Sequence, residues 1–265
     1  MYQFQYLRPK SLDEARKLFE GNGDAKFLAG GQTLIPTLKQ RLAQPSALID
    51  LSRIPGLAGI KVEGSSVTIG AAMKHFDVAN SPEIRKALPA LASLASHIGD
   101  PAVRHMGTIG GSLANNDPSA DYPAAVLALG GSVKTTSRTI AADDYFKGMF
   151  ETALEEGEII TEISFPVPEK AAYMKFPNPA SRYAMVGVFV AKLASGVRVA
   201  VTGAASSVFR EKAMEAALSK SFTPDAIAAI KVSPSNLNSD LHATAEYRAH
   251  LVTVMAKRAV AAALA

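Results

Sequence analysis

The stretch Gly107-Thr108-Ile109-Gly110-Gly111-Ser112-Leu113-Ala114-Asn115-Asn116-Asp117-Pro118-Ser119-Ala120-Asp121 limits what this chain can fold into more than any other. It sets three glycines, several hydroxyls, two amides and two carboxylates between apolar segments with helical spacing. Asn116-Asp117-Pro118-Ser119 would make a surface turn unaided. The glycine density ahead of it exceeds what a turn needs and points to a backbone that a ligand approaches closely. A shorter segment has the same character. Leu28-Ala29-Gly30-Gly31-Gln32-Thr33-Leu34 runs from an apolar strand through a double glycine into a helix. A helix start offers unpaired N–H groups and a positive dipole end, which suit a phosphate, and Gln32 and Thr33 add side-chain donors. A plain tight turn is the other use of such a Gly-Gly. Neither the Gly-x-Gly-x-x-Gly spacing of a Rossmann fingerprint nor the Gly-Lys-Ser/Thr of a P-loop is present.

At roughly 150 residues per domain, 265 residues make about two domains or a three-lobed arrangement. Ser11 and Glu14 form a capping box, and Leu12, Ala15, Leu18 and Phe19 share one face of the helix that follows. Lys26 to Ala29 reads as a buried strand, Leu34, Ile35, Leu38 and Leu42 as a helix, and Ala47 to Leu51 as another strand. From Gly59 onward short strands alternate, turning at Gly64-Ser65. Ser81-Pro82-Glu83 starts a helix whose apolar face runs through Ile84, Leu88, Leu91, Ala95 and Ile98. A hairpin is expected over Ser132–Ile140 and a strand over Glu158–Val167. Prolines at 166, 168, 177 and 179 mark the last boundary. Beyond them, Tyr183–Leu193 and Val197–Ala204 form a hairpin. Helices follow near Glu211–Ser219, Pro224–Ile230 and from Thr244, the last buried along Tyr247, Leu251, Val254 and Met255. The class is α+β, with units at 1–56, 57–170 and 171–265.

Composition removes several chemistries. The chain has no cysteine, which excludes disulfides, thiolate-bound zinc, a thiol nucleophile and any iron–sulfur cluster held by this chain alone. The five histidines show no ligand spacing, and no Gly-x-Ser-x-Gly elbow occurs. A net charge of +4 spread along the chain gives no footprint for nucleic acid. Asp143-Asp144 and Glu155-Glu156 read as solvated turns. The N-terminal residues lack a secretory pattern, and the longest apolar run, Tyr122–Leu129, is too short to span a bilayer, so a cytoplasmic protein without membrane insertion is expected.

Together the two glycine segments resemble the FAD-binding subunit of the molybdenum hydroxylases, the xanthine dehydrogenase and carbon monoxide dehydrogenase family. Ala29 to Leu34 is similar to that family's first phosphate loop and Gly107 to Asp121 to its second, and Ala245 to Leu251 resembles its last helix. The resemblance spans essentially the whole chain. It implies a two-subdomain FAD-binding (PCMH-type) unit followed by a small antiparallel sheet with helices. It implies further that Ala29, Gly30, Gly31, Gln32 and Thr33, closed by Leu34, bind the pyrophosphate of FAD. Thr108, Gly110, Gly111, Ser112 and Asn115 would complete the cradle. Asp121 would accept from a sugar or ribityl hydroxyl, Ile98 would pack near the cofactor, Lys175 would lie near the flavin, and Tyr183 would lie against its ring. Arg182 stands where the family often has an acidic residue. No residue of this chain need act as acid, base or nucleophile. The implied partners are a small [2Fe–2S] subunit and a large molybdopterin subunit, doubled by two-fold symmetry, with an external electron acceptor. A self-standing flavin oxidase of related fold and a nucleotide-binding module without redox chemistry stay as rivals.

Overall fold

A computed structural model describes residues 1–265. In the first lobe β1 (Gln5–Leu7), α1 (Leu12–Glu20), β2 (Lys26–Leu28), α2 (Leu34–Lys39) and β3 (Ala47–Asp50) build a parallel sheet of order β1-β3-β2. β3 is central and buried at every position, as its apolar run requires. β2 is an edge strand and only half-buried, not the buried strand its composition suggests. Ser11 accepts from the Glu14 N–H, and the Glu14 carboxylate reaches back to Lys10 N–H at 2.7 Å, which fixes the start of α1. Leu42 lies beyond the end of α2 and is exposed, because Arg41 turns left-handed at φ 61°.

The second lobe carries β4 (Ile60–Glu63), β5 (Ser66–Gly70), α3 (His75–Asn80), α4 (Pro82–Ala87), α5 (Pro89–Ser96), α6 (Pro101–Met106), α7 (Ile109–Asn115) and α8 (Tyr122–Ala128). After these come β6 (Ser132–Thr135), β7 (Thr139–Ala141), α9 (Ala142–Tyr145), β8 (Phe146–Gly148), β9 (Glu151–Thr152) and β10 (Ile160–Pro166). Its main sheet is antiparallel in the order β4-β5-β10-β6-β7. The single helix expected from Ser81 to Ile98 is two. Pro89 cannot donate to an upstream carbonyl, so Leu88 leaves helical geometry at φ −145° and Pro89 opens α5. The glycine-rich segment, read as a loop, contains the short helix α7.

In the third lobe β11 (Lys170–Pro177), β12 (Ala184–Leu193), β13 (Gly196–Thr202) and β14 (Phe209–Arg210) form an antiparallel sheet in chain order. β11 was missing from the expected hairpin, and Pro177 ends that strand instead of marking a boundary. Val186, Val188 and Val190 pack against α10 (Lys212–Lys220) and α11 (Ala245–Leu264), while Phe189 and Ala191 on the opposite face join the core of the second lobe. Only a 3-10 turn, Pro224–Ile227, forms where a helix to Ile230 was expected. The buried stripe of α11 is rotated from the expected one: Arg248, Val252, Ala256 and Val260 are buried beside Leu251 and Met255, and Tyr247 is exposed. Asp143, read as solvated, pairs with Arg198 at 2.7 Å and Arg210 at 3.2 Å and so ties the second lobe to the third sheet.

Candidate functional site

One cavity of about 790 Å³ runs between the lobes. Its floor is set by main-chain contact between the two glycine segments. Gly30 lies against the Met106 carbonyl and the Gly107 Cα, so closely that a Cβ there would stand 2.6 Å from that Cα and overlap the carbonyl oxygen. Gly31 sits at φ 69°, a turn that only glycine makes without strain. Gly110 abuts the main chain of Ala71, with a Cβ falling 3.0 Å from the Ala71 Cα. The glycines of the second segment thus serve close approach, since none of Gly107, Gly110 and Gly111 has a positive φ.

The two segments differ in what they can offer an anion. The N–H groups of Gly30, Gly31, Gln32 and Thr33 have no partner within the protein. In α7 the first N–H groups are already taken: Ile109 donates to the Met73 carbonyl at 3.0 Å, Gly110 to the Ala71 carbonyl at 2.9 Å and Gly111 to the Thr108 hydroxyl at 3.1 Å. The first turn therefore holds most of the free donors, and the second supplies its wall, with Ser112 and Asn115 free to donate from their side chains. Gln32 folds back onto the Gly30 carbonyl at 3.2 Å.

Charge around the cavity is uneven in a useful way. Its carboxylates are all engaged: Asp100 caps Val103 N–H at 3.0 Å, Asp117 caps Ser119 N–H at 2.8 Å, and Glu158 accepts from Thr135 and Arg138 at 2.6 and 3.1 Å. Asp121 accepts from the Tyr173 hydroxyl at 2.5 Å and pairs with Lys175 at 2.9 Å. Burial raises the Asp121 carboxyl pKa against the opposing pull of that ammonium and hydroxyl. The lining cations Lys26, Arg53 and Lys74 form no ion pair. A dianionic ligand meets unpaired donors and unpaired cations here.

Every residue that the resemblance assigns to the cofactor lines this cavity except Lys175: Ala29, Gly30, Gly31, Gln32, Thr33, Leu34, Ile98, Thr108, Gly110, Gly111, Ser112, Asn115, Asp121 and Tyr183. Lys175 stands behind Asp121, donating also to the His97 carbonyl at 3.0 Å. Tyr183 is half-exposed where it lines the cavity, and Leu51, Leu57, Leu154, Ile159 and Ile160 add an apolar lining that sequence reasoning missed because such residues read as core. Arg182 does not line the cavity; it is exposed and left-handed at φ 61°. The cavity combines an apolar lining with free main-chain donors and unpaired cations in a volume that suits a large ligand, which fits a dinucleotide such as FAD.

Residues 2–168 match the family described as "FAD binding domain in molybdopterin dehydrogenase". This chain belongs to that family. FAD is its cofactor, and it is a flavoprotein medium subunit of an oxidoreductase. The chain is 38% identical to the nicotine 6-hydroxylase medium subunit of Paenarthrobacter nicotinovorans, over 97% of this chain and 95% of that protein. It is 39% identical to the carbon monoxide dehydrogenase medium chain of Hydrogenophaga pseudoflava, over 99% and 98%. The structure of carbon monoxide dehydrogenase from that organism superposes with a TM-score of 0.89 over 99% of this chain and 98% of that one, at 39% identity. Quinoline 2-oxidoreductase from Pseudomonas putida 86 gives 0.91 over 99% and 97%, at 28% identity. No helix is long and apolar enough to cross a membrane.

His75, which sequence reading passed over, lines the cavity of this medium subunit while 5% exposed. Its ring packs under Gly107 and 5.3 Å from the Tyr122 ring, and its Nδ1 has no partner. Burial, helped by the charge of Arg104, pushes its pKa down to about 4. A depressed histidine stabilises the fold above its unfolded pKa of about 6.5, and that contribution is lost as pH falls toward 4, on the order of 3 kcal/mol. Urea unfolding at pH 7 and pH 4.5 is expected to show this loss in the wild type and a smaller one in His75→Phe. Equal losses in the two proteins would count against it.

Proposed function

We propose that this chain is the electron-transfer subunit of a molybdenum hydroxylase. It takes electrons from [2Fe–2S] clusters on a small partner subunit, themselves supplied by a molybdopterin centre on a large one, and passes them to an external acceptor. The assembly is a two-fold dimer of such heterotrimers. The observation that carries the reading is the cavity itself. Its carboxylates are engaged and His75 is buried, and what remains free are anion-binding donors and cations.

FAD bound there supplies the redox chemistry, and the chain supplies place and field. Ala29 to Thr33 hold the pyrophosphate through main-chain N–H groups, with Leu34 beginning the helix behind them. Thr108, Gly110, Gly111, Ser112 and Asn115 close the cradle. Asp121 accepts a ligand hydroxyl with the lone pairs that Tyr173 and Lys175 leave over, and Ile98 and Tyr183 pack against the ring system. Lys175 acts through Asp121. With no cysteine in the chain, the clusters belong to a partner.

The purified chain reconstituted with FAD is expected to be yellow, to oxidise no small organic substrate alone, and to be bleached anaerobically on mixing with a reduced [2Fe–2S] partner subunit. Turnover of such a substrate by the lone chain would favour the self-standing oxidase. Failure to take up FAD would overturn the assigned cradle.

A further inference from the structure

Arg248 is the most deeply buried cation of the chain with no direct place on the cavity wall, at 4% exposure in the second turn of α11. Its Nη1 donates to the Met185 carbonyl at 2.7 Å and to the Gly203 carbonyl at 2.9 Å, and its Nη2 donates to Asp240 at 2.7 Å. Its Nε has no partner. Burying a guanidinium is costly unless it is paired, and the one countercharge here, Asp240, is half-exposed. The arrangement is expensive for a simple staple between helix and sheet.

The two carbonyls it grips belong to main chain that reaches the cavity rim. Met185 lies two residues after Tyr183, which lines the cavity. Gly203 follows β13 and donates its own N–H to the Pro118 carbonyl at 2.8 Å. Beside it the Thr202 hydroxyl donates to the carbonyls of Pro118 and Ala120 at 3.0 and 2.6 Å. Asp121 comes next in the chain. Gly203 is left-handed at φ 79°, and a Cβ there would overlap the Ala184 carbonyl oxygen, so the ends of β12 and β13 meet main chain to main chain. Arg248 spans that junction.

We propose that Arg248 is a positioning residue for the rim of the cavity. By joining the entry of β12 to Gly203 it sets Tyr183 and the Pro118–Asp121 segment in one fixed arrangement. This rests on the reading that FAD lies with its flavin ring toward Tyr183. Arg248 acts on the cofactor only through these backbone segments.

The test is Arg248→Met in the full chain, followed by FAD titration, the visible flavin spectrum, the flavin reduction potential and thermal unfolding of the FAD-free protein. The variant is expected to bind FAD about tenfold more weakly and to shift both flavin band and potential. Asp240→Asn, which keeps the guanidinium, is expected to shift them in the same direction by less. Should Arg248→Met not fold, Arg248→Lys carries the test, because an ammonium cannot serve both carbonyls and Asp240 as a fork. Wild-type affinity, spectrum and potential in a folded variant would overturn the proposal even if the melting temperature falls. A wild-type chain that takes up no FAD would instead overturn the reading beneath it.

Discussion

Gly30→Ala is expected to lose both FAD and stability, whereas Gly111→Val is expected to lose FAD and keep the fold. At Gly30 the added methyl meets only main chain: the Met106 carbonyl, its carbon at 2.7 Å and the Gly107 Cα at 2.6 Å. No side chain can swing away, so the two glycine segments must part. Overpacking of this kind costs about 1–3 kcal/mol or more. The free N–H groups of Gly30 to Thr33 then no longer face the second segment. At Gly111 a Cβ would stand 3.0 Å from the Thr108 hydroxyl and 3.5 Å from the Ala29 Cβ, with ordinary φ. That is tight but tolerable, and valine is a better helix former than glycine. Its branches would fill the gap between Ala29 and the start of α7. For both variants the loss of FAD affinity is expected to reach about 100-fold, or ~2.7 kcal/mol, by titration calorimetry. Thermal unfolding of the FAD-free proteins separates them, with Gly30→Ala well below wild type and Gly111→Val close to it. Gly111→Val that binds FAD as tightly as wild type would show that the pyrophosphate does not lie between the two segments.

What was legible in the sequence follows what is local. Ser11 with Glu14, and Ser81 with Pro82, announce helices because a cap bonds to residues three positions away. The Gly-Gly after Leu28 announces a turn because Gly31 needs its positive φ there. Once Gly30 rests on Met106 and Gly107, the two segments come together at one cavity and supply much of its lining. Other features depend on partners far along the chain. α7 forms across two glycines because the Ala71 and Met73 carbonyls, more than thirty residues upstream, accept its first N–H groups. Lys26, Arg53 and Lys74 carry no motif in the sequence, and only the cavity gathers them. Arg248 lies in an apolar face of α11 because carbonyls 63 and 45 residues away accept from it. The break at Leu88 was local and readable from Pro89, but the continuous apolar face masked it.

Lys175→Met is expected to be the most destabilising single change near the cavity, with an effect that depends on pH. Lys175 and Asp121 have side chains 6% and 4% exposed, with the ammonium 2.9 Å from one carboxylate oxygen and 3.0 Å from the other. Removing one partner of such a pair strands the other, at a cost of about 3–5 kcal/mol. The hydroxyl of Tyr173 remains, but one neutral donor does not replace a cation. Burial already raises the Asp121 pKa, and without Lys175 only the Tyr173 hydroxyl and the weaker influence of His97 oppose it, so the pKa climbs further. A carboxyl whose folded pKa lies above its unfolded value of about 3.9 contributes most below that value and loses its contribution as pH rises. The deficit of Lys175→Met relative to wild type is therefore expected to be largest near pH 7 and to shrink toward pH 4. Paired urea titrations at the two pH values measure it, and the shared acid loss from His75 cancels in the difference. Adding Asp121→Asn to Lys175→Met removes the stranded charge and is expected to recover part of the loss at pH 7 and little at pH 4. A deficit of the same size at both pH values, unrelieved by the second substitution, would mean that Lys175 stabilises through the packing of its methylene stem and its bond to the His97 carbonyl, not by holding Asp121 ionised at the cavity wall.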